Sequence, residues 1–255
     1  MQQQFNHPLS RTPSASPPSE PDSTAFQSPP LDHIEPDRTF LLSDVLLLKI
    51  FSKLPISQHV SNSLVCKRWL YLNGRLVQSL KVMDWSFVSS GRIFNRFPNI
   101  TGLDLVRSYF RMPRNSGILV TCERTSVHVD TNYTVDGFLG ETSFLPSNEV
   151  DKGLTLVAEK YPNLQRLVAI GADEEGLIRI AAECGTLQEL ELHFCDDLAL
   201  KGISGIKNLQ VVKLIGFIDG FYNSVISDIG LTLLAQGCKR LVKLELCGCE
   251  GIGQC

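Results

Sequence analysis

The 255-residue sequence predicts an α/β chain: three short helices, then a solenoid of repeated units, each a parallel strand followed by a helix on the convex side. Two observations carry that expectation. Asp44-Val45-Leu46-Leu47-Leu48-Lys49-Ile50-Phe51-Ser52-Lys53-Leu54 sets Leu47, Ile50 and Leu54 at i, i+3 and i+7, one face of a helix. Further on, residues 184–195 and 238–249 both read C-x-x-L-x-x-L-x-L-x-x-C, and self-similarity of this kind marks repeat architectures.

In chain order, residues 1–37 hold eight of the thirteen prolines among Ser, Gln and Asp, a composition that buries too little apolar surface to offset ordering, so a disordered tail is expected. Ser43 suits an N-cap for the first helix, Asp44 its first-turn dipole, and Pro55 a stop. A second helical stretch is expected from about Ser57 to Trp69 and a third around 75–80. The repeat strands are expected at Ile100/Leu103/Leu105, Leu164/Leu167/Ala169, Leu187/Leu190/Leu192, Leu209/Val212/Leu214 and Leu241/Leu244/Leu246. Helical pieces lie between them at 153–160, 175–183 and 228–236. The last repeat interval is about ten residues longer than its neighbours, so an insert is expected at 217–224, and a long irregular insert at 107–149. The domain division that follows is 1–37 tail, 38–83 helical module and 84–255 repeats. After the strand of Leu244 and Leu246 no further helix precedes Cys255, so the array is expected to be C-terminally incomplete, as in a fragment or a truncated isoform.

Composition narrows the function classes. With 43% hydrophobic and 20% charged residues the chain falls in the range of soluble globular proteins, and its longest apolar runs meet a charge far short of the roughly 20 residues that span a bilayer. The start, Met1-Gln2-Gln3-Gln4, has neither the basic nor the apolar region of a secretory signal, so nucleus and/or cytoplasm is the expected location and the eight cysteines are read as thiols. Charge is uneven: residues 38–83 carry seven Lys/Arg against Asp44 alone, whereas the flanking segments are net acidic. Those cations are scattered among apolar residues and only Lys67-Arg68 are adjacent, which favours an acidic protein partner over nucleic acid.

Leu42, Asp44, Leu47, Ile50, Phe51, Leu54 and Pro55, followed by Val65-Cys66-Lys67-Arg68-Trp69, resemble an F-box, the helical module that docks F-box proteins on the Skp-type adaptor of a cullin–RING ubiquitin ligase. The resemblance implies that Leu42, Leu47, Ile50, Leu54, Val65, Cys66 and Trp69 form the adaptor face. Ser43 stands at the usual proline and Val45 at the usual acidic residue, departures that bear on the grip of the first turn. The later repeats resemble cysteine-containing leucine-rich repeats, whose helix often carries D-x-G-L, as in Asp228-Ile229-Gly230-Leu231. F-box followed by such repeats is a family known from plant and animal ligase receptors. Membership implies a non-catalytic substrate receptor of an SCF-type ligase with no cofactor and no membrane association. The alternative is a solenoid interaction scaffold whose first helices only cap the array.

Other chemistry finds little support. Cys184/Cys195 and Cys238/Cys249 are spaced as the repeat itself is, which suits packing thiols better than paired zinc ligands, so no metal site is expected. There is no G-x-S-x-G elbow, P-loop or H-E-x-x-H, and the five histidines do not cluster. If the repeat leucines point inward, alternation places Asp104, Val168, Ile170, Glu191, His193, Lys213, Ile215 and Glu245 on an outward ladder, the expected target-binding face. Phe221 and Tyr222 of the 217–224 insert are expected beside it.

Overall fold

A computed structural model describes residues 38–110, 118–120, 125–127, 144–216 and 225–249. The expected tail, most of the 107–149 insert and the 217–224 insert with Phe221 and Tyr222 lie outside the described residues. The chain divides into two units, Met1–Leu41 and Leu42–Cys255. Of the first, Arg38–Leu41 forms a 3-10 turn.

The second unit opens with α1 (Asp44–Phe51), α2 (Ile56–Ser63) and α3 (Lys67–Gly74). Ser43 caps α1 as expected, its side chain accepting from the Leu46 amide at 3.4 Å, and Asp44 and Lys49 suit the dipole at the two ends. The expected single stretch from Ser57 to Trp69 is corrected: the chain leaves the helix at Leu64, passes through extended Cys66 and restarts at Lys67. An unbroken helix over 56–74 would be roughly 28 Å long, more than twice the eight residues of α1. The break lets Trp69 and Leu72 return to the Leu47–Phe51 face of α1.

The expected helix around 75–80 is also corrected. The Gln78 carbonyl accepts from the amides of Thr101 and Gly102, drawing the next residues into β1 (Ser79–Lys81). Strand β1 thus begins inside the 38–83 segment. After β1 come α4 (Ser86–Ser89), α5 (Arg92–Arg96), β2 (Gly102–Asp104) and a 3-10 turn at Val106–Tyr109. Within the stretch expected to be irregular, β3 (Ile118–Val120) and β4 (Thr125–Val127) pair antiparallel. Then strand and helix alternate: α6 (Ser147–Lys160), β5 (Arg166–Ile170), α7 (Glu174–Glu183), β6 (Glu189–His193), α8 (Asp197–Ile203), β7 (Val211–Ile215), α9 (Asp228–Gly237) and β8 (Lys243–Cys247). Helix α8 was not foreseen; its seven residues are too few for a visible period.

Six strands form one parallel sheet in the order β1-β2-β5-β6-β7-β8, each beside its successor among them in the chain. Register aligns the apolar positions into rows, Leu80, Leu103, Leu167, Leu190, Val212 and Leu244 in one, and Ala169, Leu192, Leu214 and Leu246 in the next. Most of these, with Leu154, Leu177, Leu200 and Leu234 of the helices, form one buried core. On the outer strand β8, Leu244 and Leu246 remain 40% and 38% exposed.

Close helix contact explains a residue of the D-x-G-L pattern. A β-carbon on Gly230 would lie 2.1 Å from Asp197 Oδ1 and 3.0 Å from Leu200 Cδ1, so only glycine lets α9 approach α8 this closely. The thiols of Cys184 and Cys238 are buried and donate to the carbonyls of Tyr161 (3.6 Å) and Ile203 (3.5 Å), each tying one helix–strand junction to the preceding unit. Burial pushes both up to about 11, well outside the range of reactive cysteines.

Candidate functional site

The helical module is held by a small core of Leu47, Phe51 and Leu72, against which Leu42, Leu48, Leu54, Trp69 and Leu76 pack. The rings of Phe51 and Trp69 meet edge-on at 4.7 Å. Arg68 pins the start of α1 to α3: Nε and Nη2 donate to Asp44 Oδ1 at 2.8 and 2.7 Å, and Nη2 also donates to the Leu42 carbonyl at 2.6 Å. This clamp, together with the Ser43 cap, orders the turn in which a proline is usual.

Of the seven residues expected at the adaptor face, only Ile50 and Val65 are exposed, at 46% and 59%. Leu47 is 2% exposed, which corrects its place at the face: it belongs to the core of the module. Leu42, Leu54, Cys66 and Trp69 are half-buried, and three of them, Leu42, Leu54 and Trp69, pack on that core. The exposed apolar surface instead includes Val45 and Leu46 of α1, Ile56 and Val60 of α2, and Leu64. Helix α2 contributes no buried residue. The spacing of Ile56, Val60 and Leu64 at i, i+4 and i+8 was the available signal, an apolar stripe with no second stripe in the module to cover it. Lys49, Lys53 and Lys67 are exposed in the same module.

Register places the expected ladder on the sheet face opposite the leucines. Lys81, Asp104, Val168, Glu191, Lys213 and Glu245 align across all six strands, and Ile170, His193, Ile215 and Cys247 form the next row. The residues of this face differ in exposure. Val168, Ile170, Glu191 and His193 are buried, whereas Asp104, Lys213, Ile215 and Glu245 are half-exposed. Parallel neighbours about 4.8 Å away on both sides cover a central strand, and the ring of Tyr109 lies against Gly171 at the end of β5.

The face is cross-paired. Arg166 reaches Glu189 at 3.6 Å and Glu191 at 4.0 Å, Lys213 reaches Glu245 at 3.2 Å, and Lys243 also contacts Glu245. His193 Nε2 lies 2.9 Å from Glu191 Oε1. That hydrogen bond, followed by the charges of His193, Lys213 and Arg166, holds the Glu191 carboxyl below its ordinary range in spite of burial. Opposite charges in neighbouring strands thus fix one another, and no single sign dominates the surface. Among the described residues His193 has no hydrogen bond to a serine, threonine or cysteine. Among the described residues no group of three or more His, Cys, Asp or Glu is arranged to hold a metal, and no helix is long and apolar enough to cross a membrane.

Comparison with known families matches residues 40–72 to the F-box domain. The chain carries an F-box domain. The match falls on the module that Arg68 and the Phe51–Trp69 contact hold together. An F-box indicates, in general, an adaptor-binding substrate-receptor role in an SCF-type ubiquitin ligase, and F-box proteins are generally non-catalytic. In this chain a parallel α/β region follows the matched helical module.

Proposed function

We propose that this F-box protein is the substrate-recognition subunit of an SCF-type E3 ubiquitin ligase. Its α1–α3 surface binds the Skp-type adaptor, and its strand–helix units act as a leucine-rich-repeat solenoid whose concave sheet face captures the target protein. The observation that carries the reading is the coincidence of the F-box match with a folded module that leaves Ile50, Val65, Ile56, Val60 and Leu64 uncovered. The exposed lysines of the module, Lys49, Lys53 and Lys67, complement an acidic adaptor and steer encounter. The chemistry is supplied by other subunits: holding a target lysine beside a charged ubiquitin carrier raises the effective concentration of the two, leading to ubiquitination and proteasomal degradation. The site of action proposed is the nucleus or cytoplasm.

Affinity capture of the full chain from native extract under proteasome inhibition tests this. Adaptor and cullin are expected together with a protein that accumulates on inhibition. Capture of target proteins without adaptor would support the alternative, an interaction scaffold outside any ligase.

A further inference from the structure

Where strands β5 and β6 hand over to helices α7 and α8, an open cleft of about 540 Å³ lies within the roughly 300–1,000 Å³ typical of binding sites. The two helices sit close, because Gly202 of α8 packs on Glu174 and Leu177 of α7. Each sends one uncovered aliphatic side chain to the cleft: Ile178 of α7 is 47% exposed and Leu198 of α8 55%. Carboxylates stand around this pair. Asp151 comes from α6, Asp173, Glu174 and Glu175 from the start of α7, and Asp196 from the start of α8.

Local structure accounts for part of that charge. Acids in a first turn suit the helix dipole, and the Asp196 side chain caps α8, accepting from the Ala199 amide at 2.9 Å. Asp173 stands at the N-cap of α7 yet makes no cap hydrogen bond, and among the described residues Glu174 alone of the five has an ion pair, with Lys201 at 2.8 Å. Asp151 is only 7% exposed, and its partners are the neutral amides of Asp173 and Gly176. A carboxyl buried to this degree with no cation beside it among the described residues is unusual. Burial, with the charges of Asp173 and Glu175 added, pushes it above its ordinary range, so the neighbouring carboxylates are felt there. A metal ion does not match this arrangement, because among the described residues no three such groups are placed to hold one. Arginine does match: its planar guanidinium can pair with two carboxylates at once, and its stem lies along apolar surface.

We propose that this cleft is a second docking seat, distinct from the sheet face, for a peptide segment that carries an arginine next to an aliphatic residue. The guanidinium sits among the carboxylates of Asp173, Glu175 and Asp196, and the arginine stem and its aliphatic neighbour cover Ile178 and Leu198. The occupant is a segment of the captured target, and to that extent the proposal rests on reading the chain as a substrate receptor. Charge complementarity selects the cation, and the exposed aliphatic pair selects a cation in an apolar context over a free one.

A nuclear magnetic resonance titration of the full chain with labelled isoleucine and leucine methyls tests it. The probes are the blocked tripeptide leucine–arginine–leucine and the same peptide with citrulline, nearly isosteric and uncharged, in place of arginine. The arginine peptide is expected to shift the Ile178 and Leu198 methyls and to bind about tenfold more tightly than the citrulline peptide. Asp173→Asn combined with Glu175→Gln keeps the size of both side chains and removes no cap hydrogen bond, and it should weaken binding about fivefold. Leu198→Ser, which uncovers no core residue, should do the same from the apolar side. Equal affinity for the two peptides, full affinity in the double variant, or shifts at Ile215 of the sheet face in place of Ile178 and Leu198 would overturn the proposal. So would the same methyl shifts with millimolar calcium alone, which would assign the cleft to a metal ion. Adaptor binding by the same samples is measured in parallel: its absence beside a bound arginine peptide would count against the ligase reading and uphold the cleft, and its presence beside silent methyls would count against the cleft alone.

Discussion

Replacing Ile50 and Val65 together by Ala separates an adaptor face from a helical cap. Fully burying an aliphatic side chain of this size is worth about 1.5–3 kcal/mol. Ile50 has 46% and Val65 59% of its surface left to bury, so covering them in a complex contributes roughly half of that value each. Together they account for about 1.5–3 kcal/mol, a loss of roughly 10- to 150-fold in affinity. Neither side chain lies in the module's core, so the double variant is expected to keep the wild-type thermal midpoint. Leu47→Ala is the informative contrast: at 2% exposure it is expected to cost about 2–5 kcal/mol of folding stability and to lose the adaptor only by unfolding. Trp69→Ala belongs to the same class because it empties the space beside Phe51. Titration calorimetry with purified adaptor, alongside circular dichroism melts, makes the measurement. Wild-type affinity in a folded Ile50→Ala/Val65→Ala chain would refute the reasoning.

Three further outcomes follow from the packing. Gly230→Ala is expected to destabilise by about 1–3 kcal/mol in urea unfolding, because the methyl displaces Asp197 from the Ser227 amide (2.9 Å) and hydroxyl (2.5 Å); in an Asp197→Ala background the same change should cost little, and an unchanged cost there would remove the explanation. Under native conditions a thiol reagent should modify exposed Cys247 rapidly and spare Cys184 and Cys238 until the chain unfolds, which mass spectrometry of timed samples checks. Burial, assisted by the charge of Asp173, raises the Asp151 carboxyl above its ordinary value although the amides of Asp173 and Gly176 donate to it, so its contribution to stability is fullest below the unfolded pKa and is lost as pH rises through the folded one. Asp151→Asn keeps an acceptor for the Asp173 amide and is therefore expected to raise the melting temperature at pH 7, with the difference closing near about pH 4.

Local physics made much of this protein readable from its residues. The period of α1, the Ser43 cap and the repeat spacing that became strands β5 to β8 depend on side chains a few positions apart, and they emerge from the sequence nearly as the structure has them. Strand alternation likewise assigned Glu191, His193 and Lys213 to one face, because successive residues of a strand point to opposite sides wherever the strand lies. Tertiary packing decided the rest. Leu47 and Ile50 share one helical stripe and are equally apolar, yet one is core and the other surface, a difference set by where Trp69 and Leu72 return after the break at Leu64 to Cys66. The same cause hid β1, whose three residues become a strand only because β2 offers them a partner. Burial of His193 is also collective: its identity and direction are local, but the exclusion of water from Nδ1 is a property of the sheet and its neighbours together, and no pattern along one strand contains it.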